Sequence, residues 1–270
     1  PGIVKTLVLE YRVDGIGKSA RGTDSDRLVL YEPPADSHVA DVETNAEHRD
    51  VLEVWENGHY ETRTASGKSM QFEVQNLPPP FGVTGPWELR FDPKWGAPDH
   101  VTMEKLVSWS EHSDPGIRYY SGSATYTKTF NAPGEWFGKT RRLYLDLGVV
   151  QVMANVTLNG KALGTLWKPP YRVVVTDTLK AGENTLAIDV VNLWVNRLIG
   201  DEQLPEDSAS NDDGTLKEWP QWLTENKPSP AGRYTFTSWR LWKKDEPLQE
   251  SGLIGPVTIR STEVFALEAN

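Results

Sequence analysis

The residues best suited to binding a ligand follow a predicted strand and enter a polar loop, between Asn192 and Asp201. Asn, Arg and Asp side chains offer planar hydrogen-bonding edges that match pairs of neighbouring hydroxyl groups. Trp adds a flat apolar face on which a pyranose ring can stack. The pattern predicts a sugar-binding site with seven members: Asn192, Trp194, Asn196, Arg197, Asp201, Trp219 and Trp222. In the alternative interpretation, Trp194 closes the end of a β-sandwich and the polar residues cap the loop.

A second group of side chains could carry acid–base chemistry. Hydrolysis of a glycosidic bond uses two carboxyl groups, about 5–5.5 Å apart for retention and about 6.5–9.5 Å apart for inversion. Asp201 and Glu202 are adjacent, so in extended backbone their side chains diverge, whereas Glu202 could pair with Glu206 or Asp207. The alternative interpretation is a solvated acidic loop. The candidate catalytic residues are Glu202, Glu111 and Asp114.

The oxygen-rich segment from residue 201 to residue 213 could also hold calcium. The EF-hand pattern fails there, because aligning Asp213 and Gly214 with its fifth and sixth positions puts Ala209 first and Pro220 in place of the terminal Glu. No other cofactor is required by the sequence. The candidate ligands for a structural calcium are Asp201, Glu202 and Asp207.

Antiparallel strands must position these residues. Apolar and polar residues alternate up to Asn159-Gly160, the dipeptide best suited to a tight hairpin. Turn signals about every ten residues are typical of a sandwich or jelly roll, and the irregular segment 197–232 interrupts this rhythm. The predicted strands in this half of the chain are residues 85–91, 123–130, 141–147, 171–176, 185–191, 234–241 and 253–260.

The first third of the chain reads as a separate, smaller β domain. Strands are predicted at residues 3–13 and 27–32, and a three-stranded meander at 51–55, 60–64 and 70–74. Pro78-Pro79-Pro80 marks the boundary. The predicted fold is therefore all-β, with a small antiparallel domain at residues 1–80 and an antiparallel β-sandwich or jelly roll at residues 81–270.

Composition excludes several classes of partner and chemistry. The 28 basic and 38 acidic residues give a net charge of −10, which argues against binding to nucleic acid. No Cys is present, so disulfides and Cys nucleophiles are excluded. No apolar run reaches the ~20 residues of a membrane span, so no membrane partner is expected. A start at Pro1 without a signal peptide suggests a fragment of a longer protein. The 11 Trp either fill a core or stack on sugars.

Four segments carry a resemblance to a known family: residues 85–87, 108–126, 158–171 and 192–201. Their sequences, among them SWSEHSDPGIRYY and NLWVNRLIGD, resemble the C-terminal part of family 106 glycoside hydrolases, the large bacterial α-L-rhamnosidases. Residues 154–191 also resemble the sugar-binding sandwich of β-galactosidases and β-glucuronidases, a galactose-binding-like jelly roll. The resemblance extends over residues 50–262.

The resemblance implies a domain without the catalytic groups. In that family the catalytic carboxylates lie in an upstream barrel, and this sequence has no alternating β and α units. The implied function is a non-catalytic carbohydrate-binding or accessory module of a rhamnosidase-like glycoside hydrolase that acts on plant polysaccharide. Its implied partners are a carbohydrate and an upstream catalytic barrel, and its implied location is secreted or periplasmic in a bacterium. A self-sufficient small glycosidase and a purely structural domain bracing a barrel stay open as alternatives.

Overall fold

The computed structural model describes residues 6–13, 16–23, 39–44, 49–63 and 67–267. The chain divides into two compact units, Pro1–His38 and Val39–Asn270. In the first unit, β1 (Thr6–Val13) pairs antiparallel with β2 (Ile16–Thr23). β1 confirms the strand predicted at 3–13, but its partner β2 lies in a segment expected to be a loop. The strand predicted at 27–32 lies outside the described residues.

The second unit is built almost entirely of strands. In chain order the strands are β3 (Ala40–Thr44), β4 (Asp50–Val54), β5 (Gly58–Arg63), β6 (Ser69–Val74), β7 (Phe81–Gly82), β8 (Trp87–Phe91), β9 (His100–Met103), β10 (Ser123–Ala132), β11 (Arg141–Asp146), β12 (Val149–Gln151), β13 (Met153–Leu158), β14 (Lys161–Leu166), β15 (Arg172–Val174), β16 (Gly182–Val191), β17 (Gly252–Gly255) and β18 (Thr258–Ala266). The described helices are α1 (Pro115–Arg118), α2 (Val195–Asp201) and α3 (Gln221–Thr224), with 3-10 turns at Pro93–Trp95, Trp109–Glu111 and Gly134–Trp136.

Two antiparallel sheets form a β-sandwich. One has the order β14-β13-β16-β10-β8-β9, and the other has the order β15-β11-β18-β4-β3 with β7 also paired to β18. Residues alternate along β16, so that Leu186, Ile188 and Val190 are buried while Asp189 is exposed. This period of two is the pattern of a strand with one face in a core. The all-β antiparallel sandwich predicted from the sequence is confirmed.

Aromatic side chains fill the centre of the sandwich. Trp87, Trp109, Tyr120 and Tyr126 are fully buried. The Nε1 of Trp109 donates a hydrogen bond of 2.6 Å to the hydroxyl of Tyr126, which also accepts one of 3.0 Å from the backbone N–H of Leu253. Burial raises the pKa of Tyr126, so the hydroxyl stays protonated. Part of the Trp surplus is therefore core, whereas a second set is more than half exposed: Trp167, Trp194, Trp219 and Trp239.

The contacts do not divide the chain at the predicted boundary. The second unit begins at Val39 rather than residue 81, because β4 pairs with β18 inside a sandwich sheet. β5 and β6 do form a hairpin, but β4 is not part of the predicted meander. β4 is buried on both faces, and Glu53 in its middle is neutralised by Arg142, whose Nη1 lies 2.7 Å from the carboxylate.

The strand predicted at residues 234–241 is wrong. That segment is irregular, and its backbone pairing is limited to an isolated bridge between Thr215 and Trp239. It belongs to a long excursion, defined here as residues 202–251, between α2 and β17. None of the helices in the part of the chain described above is long and apolar enough to cross a membrane.

Candidate functional site

The candidate site begins where β16 ends at one end of the sandwich. Asn192 follows the strand and is buried. Its Oδ1 accepts a hydrogen bond of 2.9 Å from the N–H of Gly122, and its Nδ2 donates one of 2.8 Å to the carbonyl of Tyr120. Both edges of the amide therefore hold the backbone just before β10, and the predicted contact of Asn192 with a sugar stays a prediction.

Asn196 in α2 has a similar structural role. Its Nδ2 donates to the carbonyl of Gln249 at 2.7 Å, and its Oδ1 accepts from the N–H of the same residue at 2.8 Å. This pairing fixes the far end of the excursion against α2. The amide of Asn196 is therefore committed to backbone, and contact of this residue with a ligand stays a prediction.

Trp194, Arg197 and Asp201 recur along α2 at intervals of three and four residues, so they share one face of the helix. Trp194 is half-exposed, and its ring meets that of Trp95 edge to face at a centroid distance of 5.4 Å. Trp95 comes from the loop between β8 and β9. The two tryptophans form an aromatic corner next to the helix.

The Arg197 guanidinium is held between two tyrosine rings. It is centred 4.9 Å from the ring of Tyr234 and 5.8 Å from that of Tyr119, and the residue is only 5% exposed. Burial lowers the pKa of Arg197 and the Asp201 carboxylate partly offsets this, but an Arg side chain stays charged in proteins. The result is a cation in a narrow aromatic slot.

The pairing of Arg197 with Asp201 is incomplete. Nε of Arg197 lies 3.1 Å from Oδ1 of Asp201, but the two atoms are not aligned for a hydrogen bond and neither has another partner among the described residues. Oδ2 of Asp201 instead accepts three hydrogen bonds, from the N–H of Tyr234 at 3.1 Å and from the N–H and hydroxyl of Thr235 at 2.7 and 2.6 Å. Asp201 therefore positions Tyr234 over the guanidinium.

Glycine makes room for this arrangement at two points. A Cβ at Gly96, which has a φ of +88°, would lie 2.7 Å from the Tyr234 ring, and one at Gly200 would lie 2.4 Å from Nη2 of Arg197. Both distances are too short for a side chain. We call the resulting patch the Arg197 surface, and it consists of Trp95, Tyr119, Trp194, Arg197 and Tyr234.

Glu202 lies in a cluster of ion pairs beside the site. Its carboxylate is 2.7 Å from Nη1 of Arg233 and also accepts hydrogen bonds from Arg240, which in turn reaches Glu206 at 2.7 Å. Burial raises the pKa of Glu202, but the hydrogen bonds from Arg240 and Arg233 outweigh it and hold the pKa below the ordinary value. A general acid needs a raised pKa, so this environment is opposite to the one a catalytic acid requires.

The cleft beside this cluster is too small for a sugar. It is lined by Asp201, Glu202, Arg233, Thr235 and Arg240 among others, and its volume is about 20 Å³. That is room for about one water molecule. The charged side chains that line the cleft anchor the excursion by their ion pairs.

The three carboxylates predicted to bind calcium point to separate partners. Asp201 binds Tyr234 and Thr235, Glu202 binds two arginines, and Asp207 accepts a hydrogen bond of 2.6 Å from the hydroxyl of Ser229. Within the described ranges, no group of three or more His, Asp or Glu side chains is arranged to hold a metal ion. Each of the three carboxylates is engaged by its own donors, and the structural calcium stays a prediction.

The other two candidate catalytic acids occupy a loop near Tyr119. Asp114 caps α1, its Oδ1 accepting a hydrogen bond of 2.7 Å from the N–H of Gly116. Glu111 is exposed at the end of a 3-10 turn. Capping satisfies the first N–H groups of a helix, which gives Asp114 a structural role.

Trp219 and Trp222 pack on either side of Phe236. Trp222 also donates from Nε1 to the carbonyl of Asp207 at 2.8 Å, and Trp219 is 64% exposed. Their described ring contacts are with Phe236, so they form an aromatic group distinct from the Arg197 surface. Among the predicted sugar-binding residues, the structure thus brings Trp194, Arg197 and Asp201 together.

Three members of the Arg197 surface were missed by the sequence analysis. Tyr234 was assigned to a strand, Tyr119 lay in a segment considered only for its acids, and Trp95 lay in an unremarked loop. No local pattern links them to Arg197, since their sequence separations from it are large. Only the fold brings them together.

Comparison with known proteins agrees with this architecture. Residues 108–222 match the family model described as the glycosyl hydrolase 2 galactose-binding domain-like family, and the match includes Tyr119, Trp194 and Arg197. Over 197 residues the chain is 44% identical to a Formosa agariphila protein provisionally named a beta-glucuronidase. This region is a glycoside hydrolase-related, galactose-binding-like domain.

A solved structure of a rhamnosidase from Novosphingobium sp. PP1Y is also similar, with a TM-score of 0.56 and 25% identity over 85% of this chain. The match to the Formosa protein covers 73% of this chain but only 17% of the Formosa protein. The chain likewise covers 24% of the rhamnosidase. The galactose-binding-like part of the predicted resemblance is confirmed. Its narrower assignment to α-L-rhamnosidases of family 106 stays a prediction, because the matching proteins carry different names.

Proposed function

We propose that this chain is a non-catalytic carbohydrate-binding accessory domain of a glycoside hydrolase. The observation that carries the proposal is the Arg197 surface, where the half-exposed ring of Trp194 stands one helical turn from a guanidinium with unused donors. An aromatic face and convergent polar donors are the two elements of a sugar site. The surface lies at the loop end of a galactose-binding-like sandwich.

The environment of the carboxylates supports a non-catalytic role. Glu202 is ionised by two arginines, Asp201 is held by three hydrogen bonds, and Asp114 caps a helix. A glycosidase needs one carboxyl group that is protonated near neutral pH and a second at a matched distance. The loop carboxylates favour positioning over acid–base chemistry.

The related proteins support the wider setting. The two relatives are named a beta-glucuronidase and a rhamnosidase, which supports a glycoside hydrolase context. We extend the proposal to a rhamnosidase-like enzyme that acts on plant polysaccharide. The chain corresponds to a minor part of each, so the catalytic barrel is proposed as its partner. A secreted or periplasmic bacterial location goes with that substrate.

Calorimetric titration tests the proposal directly. The chain is titrated with rhamnose, galactose and pectic oligosaccharides, and at least one is expected to release heat and raise the melting temperature. Trp194→Ala should weaken that binding about tenfold, equivalent to ~1.4 kcal/mol, because it removes the stacking face. Trp167→Ala is the matched control, since Trp167 is also exposed but lies at the end of β14.

Two outcomes would contradict the proposal. Absence of heat and of a thermal shift across the whole panel would remove the binding function. Equal affinities for the wild type and Trp194→Ala would remove the Arg197 surface as its location.

A structural role as a brace for the catalytic barrel is the second candidate. It is favoured by the excursion, where Trp219, Trp239 and Leu241 are each more than half exposed. Exposed apolar groups of this size mark interaction surfaces. Sedimentation at increasing protein concentration tests this role. A chain that stays monomeric and soluble at all concentrations, without binding sugar, would argue against such an interaction surface.

A further inference from the structure

We infer that the Arg197 surface recognises an acidic sugar and that Arg197 holds the sugar's carboxylate. The inference rests on the proposed function, because it specifies the class of carbohydrate that the same surface binds. Its starting point is the hydrogen-bonding state of the guanidinium rather than the sequence motif.

The guanidinium has donors that the described protein does not use. An Arg side chain carries five N–H donors. Nε of Arg197 is ion-paired with Asp201 at 3.1 Å, but neither Nη makes a hydrogen bond within the described residues, although the side chain is only 6% exposed. Buried polar groups are nearly always hydrogen-bonded. A set of unused donors on a buried cation therefore points to an external acceptor.

Asp201 does not supply the missing hydrogen-bond acceptor for the Nη donors of Arg197. Its Oδ2 is already saturated by Tyr234 and Thr235, and its Oδ1 approaches only the Nε edge without hydrogen-bond alignment. The two Nη nitrogens are the remaining pair. Nη2 packs against Gly200 and Tyr119, so closely that a Cβ at residue 200 would lie 2.4 Å from it.

A carboxylate fits these donors better than a hydroxyl does. Two parallel N–H donors match the two oxygens of a carboxylate, and charge-assisted bonds are about twice as strong as neutral ones. The rings of Tyr119 and Tyr234 flank the guanidinium, and the side chain is only 6% exposed, a setting of low polarity that strengthens the interaction. The net charge of −10 opposes an anion at long range, but physiological salt screens charges beyond ~8 Å.

Trp194 supplies the flat face on which the sugar ring would stack. Trp194 precedes Arg197 by three residues on the same helical face, a spacing of about 5–6 Å between Cβ atoms. That spacing is on the scale of one pyranose unit. A uronic acid can therefore stack its ring on Trp194 while its carboxylate reaches Arg197.

The test compares acidic sugars with matched neutral ones at pH 7. The intact chain is titrated with the methyl glycosides of galacturonic and glucuronic acid, with those of galactose and glucose, and with the methyl ester of galacturonic acid. Sodium acetate serves as a carboxylate without a sugar. The acids are expected to bind at least tenfold more tightly than the neutral sugars and the ester, and more tightly than acetate.

Substitution then locates the charge. Arg197→Gln should abolish the preference for acids while leaving weak binding of neutral sugars, whereas Arg118→Gln is the control because Arg118 lies in α1 and donates to the carbonyl of His112. If Arg197→Gln does not fold, the comparison of acid with ester on the wild type still decides. Retained acid preference in a folded Arg197→Gln variant would overturn the assignment.

The failure of this inference is distinguishable from failure of the proposed function. Equal binding of acids, ester and neutral sugars would overturn the inference while the carbohydrate-binding function stands. Acetate binding as tightly as the uronates would also overturn it, since the sugar would contribute nothing. Absence of binding by every sugar would overturn the proposed function itself.

Discussion

Replacing Glu202 by Gln should destabilise the protein because it leaves two arginines without their counter-charge. The side chains of Glu202 and Arg233 are 11% and 8% exposed, and that of Arg240 is 22% exposed. Gln keeps the size and one acceptor oxygen but loses the negative charge. The NH2 group of Gln is itself a donor, and it would face the N–H donors of an Arg.

Removing one partner from a buried ion pair costs about 3–5 kcal/mol. Since Arg240 keeps some contact with water and with Glu206, the lower end of that range applies, about 3 kcal/mol. For a unit of this size each kcal/mol moves the melting temperature by about 2–4 °C, so Glu202→Gln should melt about 6–12 °C below the wild type. Thermal unfolding followed by circular dichroism measures this. Glu206→Gln is the control: its carboxylate is 68% exposed, so it should cost less than ~1 kcal/mol.

The difference should depend on pH in a fixed direction. The pKa of Glu202 is lowered in the folded state from its ordinary value of 4.5, so its ionisation contributes stability above pH 4.5 that is lost as pH falls through the folded-state pKa. The gap between wild type and Glu202→Gln should therefore be full at pH 7 and shrink below pH 4.5. A variant that melts within 2 °C of wild type at pH 7, with unchanged resistance of the excursion to protease, would refute the role given to this cluster.

Three further substitutions test the framework of the site. Tyr126→Phe removes the acceptor of two buried N–H groups and should cost about 3 kcal/mol in urea unfolding, despite the small change in shape. Asn196→Ala removes both hydrogen bonds to Gln249; it should lower the free energy of unfolding by about 2 kcal/mol and accelerate proteolysis within the excursion. Gly96→Ala introduces a Cβ at a φ of +88° and 2.7 Å from the Tyr234 ring, so it should cost at least ~1 kcal/mol and change the near-ultraviolet circular dichroism; unchanged spectra would count against the packing described.

Local sequence signals predicted the hairpins well. Asn159 and Gly160 adopt φ values of 52° and 78°, the positive values that their types favour, and β13 and β14 pair across them. A tight turn depends on two residues, so the sequence contains the whole cause. The alternation along β16 is a comparable case, because its period records which face is buried.

Structural features that depend on partners far away in the chain could not be predicted from the local sequence. β4 looked like the first strand of a meander, but its partner β18 lies more than 200 residues further along the chain. The buried Glu53 carboxylate likewise depends on distant partners, Arg142, Tyr144 and Thr262. Residues 234–241 alternate like a strand, yet their backbone and side chains bind the carboxylates of α2. In both cases contacts between residues far apart in the sequence decide the structure.

The site was predicted in part for the same reason. The helix periodicity that groups Trp194, Arg197 and Asp201 is present in the sequence, although the segment was treated as a polar loop that follows a strand. Whether an Asn faces a ligand or a carbonyl depends on where the opposite backbone lies, and the sequence has no record of that for Asn192 or Asn196.

The pairing of Asn196 with Gln249 has a consequence for how such domains diversify. These residues are 53 positions apart, yet the pairing fixes both ends of the intervening segment at one point. Doubling the length of such a closed segment costs only about 0.6 kcal/mol, so it can be lengthened, shortened or exchanged while the sheets remain unchanged. Arg197 lies in α2 outside this closed segment and Tyr234 lies within it, so a change in the segment would alter the surroundings of the cation without moving the helix that carries it.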